Sequence, residues 1–321
     1  MAETIVETSH LTHAYGQRVA LSDISLGVAQ GEIFGFLGPN GSGKTTLFRI
    51  LSTLLPSPPG AVKMLGIDLA SNRDEIRRHI GVVFQSPSLD KQLTPEENLR
   101  HHGHLYGLRG RELAERIDLL LARVGLSDRR HERVEGFSGG MRRRVELAKG
   151  MLNKPRILLL DEPSTGLDPT ARIDLWNYLK EIQSSDGVTI LLTTHLMDEA
   201  DRCSRLAILN RGQLAACDTP LAMKDRIGGD VIRLVTTKPQ EVADIIRQKF
   251  NLVPEILDQI VRLELPHGPE FIPPLMVALP GLVDSVSVGK PTLEDVFIHL
   301  TGRVFRDEPQ TPIIKRRSGG G

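Results

Sequence analysis

One glycine-rich segment carries the strongest chemical signal in the sequence. Residues 38–45 read Gly-Pro-Asn-Gly-Ser-Gly-Lys-Thr and match the spacing G-x-x-x-x-G-K-[ST] at every fixed position. Glycines let successive backbone N–H groups close around phosphate oxygens without a Cβ in the way, at the positive end of a following helix. In such loops the lysine, here Lys44, points toward the β and γ phosphates, and the following hydroxyl, here Thr45, binds Mg²⁺. The predicted phosphate-binding residues are Gly38, Pro39, Asn40, Gly41, Ser42, Gly43, Lys44, Thr45 and Thr46.

Two adjacent acids follow a short apolar run. Asp161 and Glu162 come directly after residues 157–160, which are Ile-Leu-Leu-Leu. Open α/β sheets bind ligands at the carboxyl ends of their strands, so these acids are expected to face the nucleotide. Asp161 is suited to holding Mg²⁺, commonly through water, and Glu162 to polarising the water that attacks the γ-phosphate. The alternative is that both acids only end a strand before the next helix.

A histidine occupies the equivalent position after another apolar run. His195 follows Val-Thr-Ile-Leu-Leu-Thr-Thr at residues 188–194. Its imidazole is therefore expected at the same sheet edge, close to the γ-phosphate region and to Glu162. The alternative is a surface or core histidine, since the chain has 10 histidines.

The surrounding pattern predicts the elements that position these residues. Residues 32–38 form a nearly continuous apolar run typical of a strand buried on both faces, and a helical pattern follows the glycine-rich loop. Strand patterns on both sides of a helical pattern at residues 170–183 give a βαβ unit. Alternating residues near the N-terminus predict antiparallel strands, and charged amphipathic stretches predict a helical insert at about residues 88–155. We expect an α/β nucleotide-binding domain over residues 1–227.

The pattern changes at the Gly228-Gly229 pair. Residues 228–302 read as β-α-β-β-α-β followed by a helix, which is the ferredoxin-like order of an α+β domain. Pro273 and Pro274 make the second helix of this domain uncertain. The Pro-, charge- and Gly-rich residues 303–321 are predicted to be a disordered tail, and the final Ser-Gly-Gly-Gly is either native or a cloning scar.

Composition narrows the class of protein. The chain has 321 residues, with 40 Lys and Arg against 40 Asp and Glu. A net charge of zero argues against a protein that binds nucleic-acid phosphates. No apolar stretch approaches the roughly 18 residues of a membrane-spanning helix, and the N-terminus lacks the features of a secretory signal. We therefore expect a cytoplasmic protein whose membrane role, if it has one, goes through a partner.

A further motif, Phe-Ser-Gly-Gly-Met at residues 137–141, is compatible with a helix start that binds an anion. Ser138 followed by Gly139 and Gly140 can cap a helix and present a hydroxyl, free N–H groups and a dipole to an anion. From the residues alone, an ordinary capped helix is equally compatible. The three arginines at 142–144 are expected on the solvated face of that helix, with an acidic partner surface as the alternative.

Together these motifs make residues 4–220 resemble an ATP-binding cassette (ABC) ATPase, the nucleotide-hydrolysing subunit of an ABC transporter. The order of the family is kept: Tyr15, the phosphate loop, Gln85, the signature at 137–141, Asp161-Glu162, Asp168 and His195. The resemblance implies that Tyr15 stacks on adenine, that Gln85 contacts Mg²⁺ and couples to the membrane partner, and that Asp168 crosses a dimer interface. It also implies that the signature (Ser138, Gly139 and Gly140) binds the γ-phosphate held by the other copy. Two ATP molecules would then join a head-to-tail homodimer that hydrolysis loosens.

The sequence also resembles one subgroup, the daunorubicin/doxorubicin-resistance type of exporter ATPase. The resemblance lies in Phe-Ser-Gly-Gly-Met-Arg-Arg-Arg, in residues 84–108 and in Pro-Thr-Leu-Glu-Asp-Val-Phe-Ile-His-Leu-Thr-Gly-Arg at residues 291–303. Phe137 and Met141 depart from the commonest family signature but leave its serine and glycines intact. This subgroup implies multidrug or antibiotic efflux through a separate integral-membrane permease, with the ATPase on the cytoplasmic face of the membrane.

Two other functions are weighed against an exporter. A soluble ABC ATPase acting on ribosomes or DNA usually has two cassettes or a long coiled-coil insertion, and the sequence shows neither. A nucleotide-gated binding module that does not hydrolyse ATP is disfavoured because Glu162 and His195 are both present. For residues 228–302 we expect dimer stabilisation or regulation of hydrolysis, with a passive accessory fold as the alternative.

Overall fold

The computed structural model describes residues 3–305, so the predicted tail at 303–321 lies outside the described residues beyond Phe305. The described chain divides into two compact units. The first comprises residues 3–195 and 209–214, and the second comprises residues 196–208 and 215–305. No helix among the described residues is long and apolar enough to cross a membrane.

The first unit contains two sheets and six α-helices among its described residues. Its strands, in chain order, are β1 (Thr4–Tyr15), β2 (Arg18–Ala29), β3 (Ile33–Leu37), β4 (Val62–Met64), β5 (Ile67–Asp68), β6 (Ile80–Val83), β7 (Ile157–Asp161) and β8 (Thr189–Thr194). Its helices are α1 (Lys44–Leu51), α2 (Arg73–His79), α3 (Pro95–Leu105), α4 (Gly110–Arg123), α5 (Gly139–Met151) and α6 (Pro169–Asp186).

A parallel sheet with the strand order β3-β8-β7-β6 forms the centre of this unit. Every residue of β3, β7 and β8 is buried, which explains why apolar residues are consecutive in these strands rather than alternating with polar ones. Helix α6 connects the neighbouring parallel strands β7 and β8, so the predicted βαβ unit is present. The carboxyl ends of β3, β7 and β8 lie at one edge of the sheet.

The N-terminal strands form the predicted antiparallel sheet, with the order β2-β1-β4-β5. Strands β1 and β2 pair along their length with several register shifts, and the buried residues of β1 (Ile5, Val6, Thr8 and Leu11) are interspersed with exposed ones, as expected of a sheet with one covered face. Residues 88–155, all of which are described, form helices α3, α4 and α5 with two short 3₁₀ turns and no strand. Helix α3 begins with a capping box between Thr94 and Glu97, which satisfies two otherwise unpaired backbone N–H groups.

The second unit contains the C-terminal sheet. Its elements are α7 (Met197–Ala200), α8 (Pro220–Asp225), β11 (Asp230–Val235), α9 (Pro239–Phe250), β12 (Glu255–Leu257), β13 (Ile260–Leu265), α10 (Gly268–Ala278), β14 (Ser285–Gly289) and α11 (Leu293–Thr301). Two further strands, β9 (Arg205–Asn210) and β10 (Gln213–Asp218), contribute residues to both units.

From β11 to β14 the chain follows the order β-α-β-β-α-β, and the four strands form an antiparallel sheet with the order β12-β13-β11-β14. This is the ferredoxin-like arrangement that the sequence predicts. Helix α10 continues through Pro273 and Pro274. Both prolines are exposed, so water can solvate the carbonyls that they leave unbonded, while Leu275 and Ala278 on the other face pack into the core.

Candidate active site

The phosphate loop joins β3 to α1, in the strand-loop-helix context that its motif requires. Gly41 and Gly43 have φ angles of 80° and 108°, a backbone region that side-chain-bearing residues rarely adopt. A Cβ on Gly38 would lie 2.4 Å from the carbonyl oxygen of Leu209 and 2.5 Å from Ser42 Oγ, so only glycine fits there. The loop is therefore compact, and it leads directly into the N-terminus of α1.

Two buried polar groups inside this loop suit an anionic ligand. The side chain of Lys44 is only 4% exposed, and its Nζ donates to the carbonyl oxygens of Gly38 at 2.6 Å and Pro39 at 3.1 Å. Ser42 Oγ is buried and has no hydrogen-bond partner among the described residues. A buried polar group without a partner costs about 1–3 kcal/mol, which a phosphate oxygen would offset. The loop thus fits the triphosphate predicted from its sequence.

Asp161 ends β7 directly opposite Thr193 of β8. The Thr193 hydroxyl donates to Asp161 Oδ1 at 2.6 Å and accepts from the backbone N–H of Glu162 at 3.0 Å. Burial raises the pKa of Asp161, and the neighbouring charge of Glu162 raises it further, although Thr193 and Lys44 act in the opposite direction. A buried carboxylate beside a like charge is a favourable place for a cation.

Three side chains converge on one oxygen of Glu162. Gln85 Nε2 donates to Glu162 Oε2 at 3.0 Å, Thr165 Oγ1 donates to it at 3.3 Å, and His195 Nδ1 lies 3.3 Å from it. Glu162 itself has a φ angle of 44°, a sparsely populated conformation for a residue other than glycine. Such strain clusters at functional sites. The structure therefore brings together Gln85, Glu162 and His195, three residues far apart in the sequence.

The signature residues and Asp168 each cap the start of a helix. Ser138 Oγ accepts from the backbone N–H of Met141 at 3.2 Å at the start of α5, and Asp168 Oδ1 accepts from the backbone N–H of Ala171 at 2.9 Å at the start of α6. Both caps are exposed. Gly140 lies so close to α6 that an added Cβ would be 2.9 Å from the Cβ of Ala171. Within residues 3–305, neither Ser138 nor Asp168 hydrogen-bonds to the phosphate loop of the same chain.

Tyr15 ends β1 at the hairpin with β2. Its ring is exposed, and it meets the ring of His13 edge-on with 5.0 Å between the ring centres. An exposed aromatic face of this kind is available to stack on another planar group.

Comparison with known proteins agrees with this geometry. Residues 21–165 match the family model described as ABC transporter. Over 306 residues the chain is 36% identical to the daunorubicin resistance ATP-binding protein DrrA2 of Streptomyces coeruleorubidus, covering 92% of this chain and 95% of that protein. The chain belongs to the ABC transporter ATP-binding proteins.

A second relative and a solved structure support the same family. The Nod factor export ATP-binding protein I of Sinorhizobium fredii is 37% identical over 311 residues, covering 95% of this chain and 88% of that protein. A solved structure entitled "Structure of ATP binding subunit of ABC transporter" has a TM-score of 0.63 and 32% identity, covering 70% of this chain and 94% of that one. This ABC protein is therefore an ATPase that binds ATP, and subunits of its family work with membrane permeases.

The residues predicted to hold Mg²⁺ in this ABC ATPase offer oxygen donors of the kind that cation prefers. Gln85 donates through its amide nitrogen to Glu162, which leaves its amide oxygen as the group for a cation. Asp161 is fixed by Thr193 on one oxygen, and Thr45 is exposed in the first turn of α1. The donor set fits Mg²⁺ bound together with phosphate.

Two residues that organise this site, Thr193 and Arg143, are not among those predicted from the sequence. Thr193 could have been found from its position opposite Asp161, once β7 and β8 are taken as neighbouring parallel strands. The expectation that the arginines at 142–144 lie on a solvated face is wrong for Arg143. This residue is 6% exposed and reaches the backbone of Glu162.

Proposed function

We propose that this chain is the ATP-hydrolysing subunit of an exporter that drives a drug-like or other amphipathic substrate through a separate membrane permease. A daunorubicin resistance ATP-binding protein and a Nod factor export ATP-binding protein are 36% and 37% identical over nine-tenths or more of this chain, which supports a role in export and resistance. The observation that carries hydrolysis, rather than nucleotide binding alone, is the convergence of Gln85, Thr165 and His195 on one oxygen of Glu162.

In this proposal the phosphate loop holds the triphosphate through its backbone N–H groups and through Lys44. Lys44 exchanges its loop carbonyls for phosphate oxygens when ATP binds. Thr45, Asp161 and Gln85 would hold Mg²⁺, which would supply charge neutralisation for the phosphates. These groups leave the γ-phosphate at the carboxyl edge of the sheet, facing Glu162.

Glu162 acts as the general base. Its carboxylate accepts a proton from the attacking water, and His195 holds the carboxylate and the γ-phosphate region in a fixed relation. The backbone of Glu162 is held by Thr193, whose hydroxyl also holds Asp161. One threonine thus fixes the relative position of the base and the metal ligand.

The exposed N-termini of α5 and α6 are available to contact a second copy of the chain. The Ser138 hydroxyl and the N-terminus of α5 face outward and can receive the γ-phosphate held by the partner, while Asp168 at the start of α6 crosses the interface. Tyr15 stacks on adenine. Two copies close head to tail over two ATP molecules, and hydrolysis weakens the contact, so the interface energy differs between the ATP and ADP states. The dimer transmits this difference to the permease at the cytoplasmic face of the cell membrane.

The C-terminal domain, residues 228–302, stabilises this dimer or regulates hydrolysis. Its core is built from its own sheet and helices, which is the organisation of an accessory domain. Removal of residues 228–321 is expected to weaken ATP-dependent dimerisation or to change turnover. Unchanged dimerisation, turnover and export after this deletion would identify a passive fold.

Sedimentation of the purified full chain tests the proposal. With Mg²⁺ and ATP, the Glu162→Gln variant is expected to sediment as a dimer, and with ADP as a monomer. A chain that stays monomeric with ATP would contradict the head-to-tail mechanism. Mass spectrometry of the membrane protein that co-purifies with the tagged chain identifies the permease, whereas co-purification of ribosomes or DNA would favour a soluble ABC ATPase.

A further inference from the structure

A buried charge pair on the signature helix connects to the backbone of the site. Arg143 and Glu146 lie on α5, one turn apart, and are 6% and 2% exposed. Arg143 Nη1 lies 3.2 Å from Glu146 Oε2. Removing two charges from water is expensive, and an apolar pair of similar volume is often as stable. Stabilisation of the fold alone therefore does not account for a pair buried in this way.

The guanidinium of Arg143 holds two backbone segments at once. Its Nη1 donates to the carbonyl oxygen of Phe84 at 2.8 Å, and its Nη2 donates to the carbonyl oxygen of Glu162 at 3.3 Å. Phe84 directly precedes Gln85, whose amide donates to the Glu162 carboxylate. The residues Arg143, Phe84, Gln85 and Glu162 thus form a closed ring of covalent and hydrogen bonds around the proposed base.

Glu146 holds the other end of the same segment. Its Oε1 accepts from the backbone N–H of Ser88 at 2.7 Å, while its Oε2 faces Arg143. Lys149, one turn further along α5, donates to the carbonyl oxygen of Ser88 at 2.8 Å. Burial raises the pKa of Glu146, and the Ser88 N–H and the charge of Arg143 counteract that effect. Residues 84–88 are therefore attached to α5 at both ends.

Helix α5 is itself firmly seated on the sheet. Gly150 near its C-terminal end packs so closely on β6 that a Cβ on Gly81 would lie 2.1 Å from the carbonyl oxygen of Gly150. Ser138, the signature serine, is the cap residue at the N-terminus of this helix. A rigid helix that starts at the signature can therefore fix the backbone on either side of the base through Arg143.

We propose that Arg143 and Glu146 are a positioning pair that holds Gln85 and Glu162 in the geometry needed for hydrolysis. This inference rests on the proposed role of Glu162 as general base. The pair touches neither nucleotide nor water in this role, and it acts through the carbonyl of Glu162 and through the segment that carries Gln85. Its loss is expected to lower kcat and to leave ATP binding nearly unchanged.

The test is a double variant of the full chain, Arg143→Met with Glu146→Leu. It removes both buried charges together, so neither is left unpaired, and the melting temperature is expected to fall only by the cost of the backbone hydrogen bonds that the pair makes to Phe84, Glu162 and Ser88. We expect kcat for phosphate release to fall about tenfold or more, because small displacements of a catalytic group have large effects on rate. The KM for ATP is expected to change by less than about threefold, since uniform binding is retained.

Arg143→Lys keeps the charge beside Glu146 but replaces the planar fork with a single flexible ammonium group, which cannot hold two carbonyls in a fixed geometry. This second variant is expected to fold and to show the same kcat decrease with an unchanged KM. The matched control is Arg116→Met, which removes an arginine that donates to the carbonyl oxygen of Leu152 at 3.0 Å, away from the site. The control is expected to keep the parental kcat.

The results separate this inference from the proposed function. If Glu162→Gln abolishes turnover while both Arg143 variants keep kcat within about twofold of the parent, the pair is only structural and the inference is wrong. If Glu162→Gln hydrolyses ATP at the parental rate, Glu162 is not the general base. The inference about Arg143 and Glu146 depends on that role and would then also be wrong. A kcat loss in both Arg143 variants at constant KM, with Arg116→Met unaffected, supports the positioning pair.

Discussion

The two units bury charge in opposite ways. At the nucleotide edge of the first unit, two acids of like charge, Asp161 and Glu162, are adjacent, and neutral groups supply most of their hydrogen bonds. In the C-terminal domain one acid, Asp295, is 0% exposed and lies between the guanidinium groups of Arg233 and Arg262. In the first region two like charges are adjacent, whereas in the second an acid is held directly between two guanidinium groups of its own domain.

The C-terminal cluster is a closed network that anchors α11 to the sheet. Arg262 also contacts Glu255 at 2.8 Å and Glu264 at 2.6 Å, and Asp295 forms a capping box with Thr292 at the start of α11. Burial opposes the ionisation of Asp295, but hydrogen bonds from Thr292 and the charge of Arg233 outweigh it, so its pKa lies below the usual value. The comparison suggests different tests for the two regions: neutralising Asp295 is expected to lower the stability of its domain, and neutralising Asp161 is expected to remove a proposed ligand for a cation.

The largest expected effect comes from removing Lys44, the cation proposed to bind the β and γ phosphates. Lys44→Ala is expected to weaken ATP binding and to lower turnover by roughly 10²–10³-fold, the scale for loss of one charged group that stabilises the transition state. Equilibrium ATP binding and phosphate release measure the two effects. Lys63→Ala, at an exposed position on β4, is the control and is expected to match the parent. Parental affinity and turnover in Lys44→Ala would refute the phosphate-loop assignment.

In the C-terminal network, Asp295→Asn is expected to lower the free energy of unfolding by about 3 kcal/mol, because it removes the buried charge that Arg233 and Arg262 share, although Arg262 keeps its contacts with Glu255 and Glu264. Urea denaturation followed by circular dichroism measures this loss. Asp244→Asn, on the exposed face of α9, is the control, because the ion pair of Asp244 with Arg247 is solvated and worth little. Equal stability of Asp295→Asn and the parent would show that the network contributes nothing.

The loss of unfolding free energy in Asp295→Asn is expected to depend on pH. Since the pKa of Asp295 is lower in the folded state, its stabilisation is present above its pKa in the unfolded chain and is lost as the pH falls through its folded pKa. The difference in unfolding free energy between the parent and Asp295→Asn is therefore expected to be constant near neutral pH and to shrink in acid. A difference that grows as the pH falls would have the wrong sign for this account.

Neutralising Asp161, at the carboxyl edge of the parallel sheet, is expected to raise the stability of the chain. This is the smallest of the expected effects. Without nucleotide and Mg²⁺, Asp161→Asn relieves the repulsion between adjacent buried carboxylates and is expected to stabilise the chain by about 1 kcal/mol while it abolishes turnover. Thermal unfolding in the presence of a chelator measures the gain. A destabilised Asp161→Asn variant would mean that Asp161, like Asp295, serves mainly to stabilise the fold.

Much of this arrangement is predictable from the sequence because its signals are local. Continuous apolar runs identify the buried parallel strands, the glycine spacing identifies the phosphate loop, and turn residues separate the elements of the ferredoxin-like domain. Helix α10 was uncertain because the sequence does not show that Pro273 and Pro274 face solvent. The wrong assignment of Arg143 has a different cause. Three consecutive arginines look alike until the helical period is applied, which places Arg143 on the buried face with Gly140 and Leu147.

The hydrogen bonds from Thr193 and Arg143 depend on tertiary contacts that local patterns do not contain. Thr193 requires the register between β7 and β8, and Arg143 requires the approach of α5 to residues 84 and 162. Local sequence patterns therefore indicate the groups proposed to act on the nucleotide but not the residues that hold those groups in place.

Phosphate release in a single turnover by Glu162→Gln tests the central claim most directly. The variant keeps the size of the side chain and removes its ability to accept a proton, while the phosphate loop and the metal ligands stay intact. We predict ATP affinity close to that of the parent and a rate of phosphate release lower by roughly 10²-fold or more, the range for loss of a general base. Release at the parental rate would contradict the assignment of Glu162 and with it the account of this edge of the sheet.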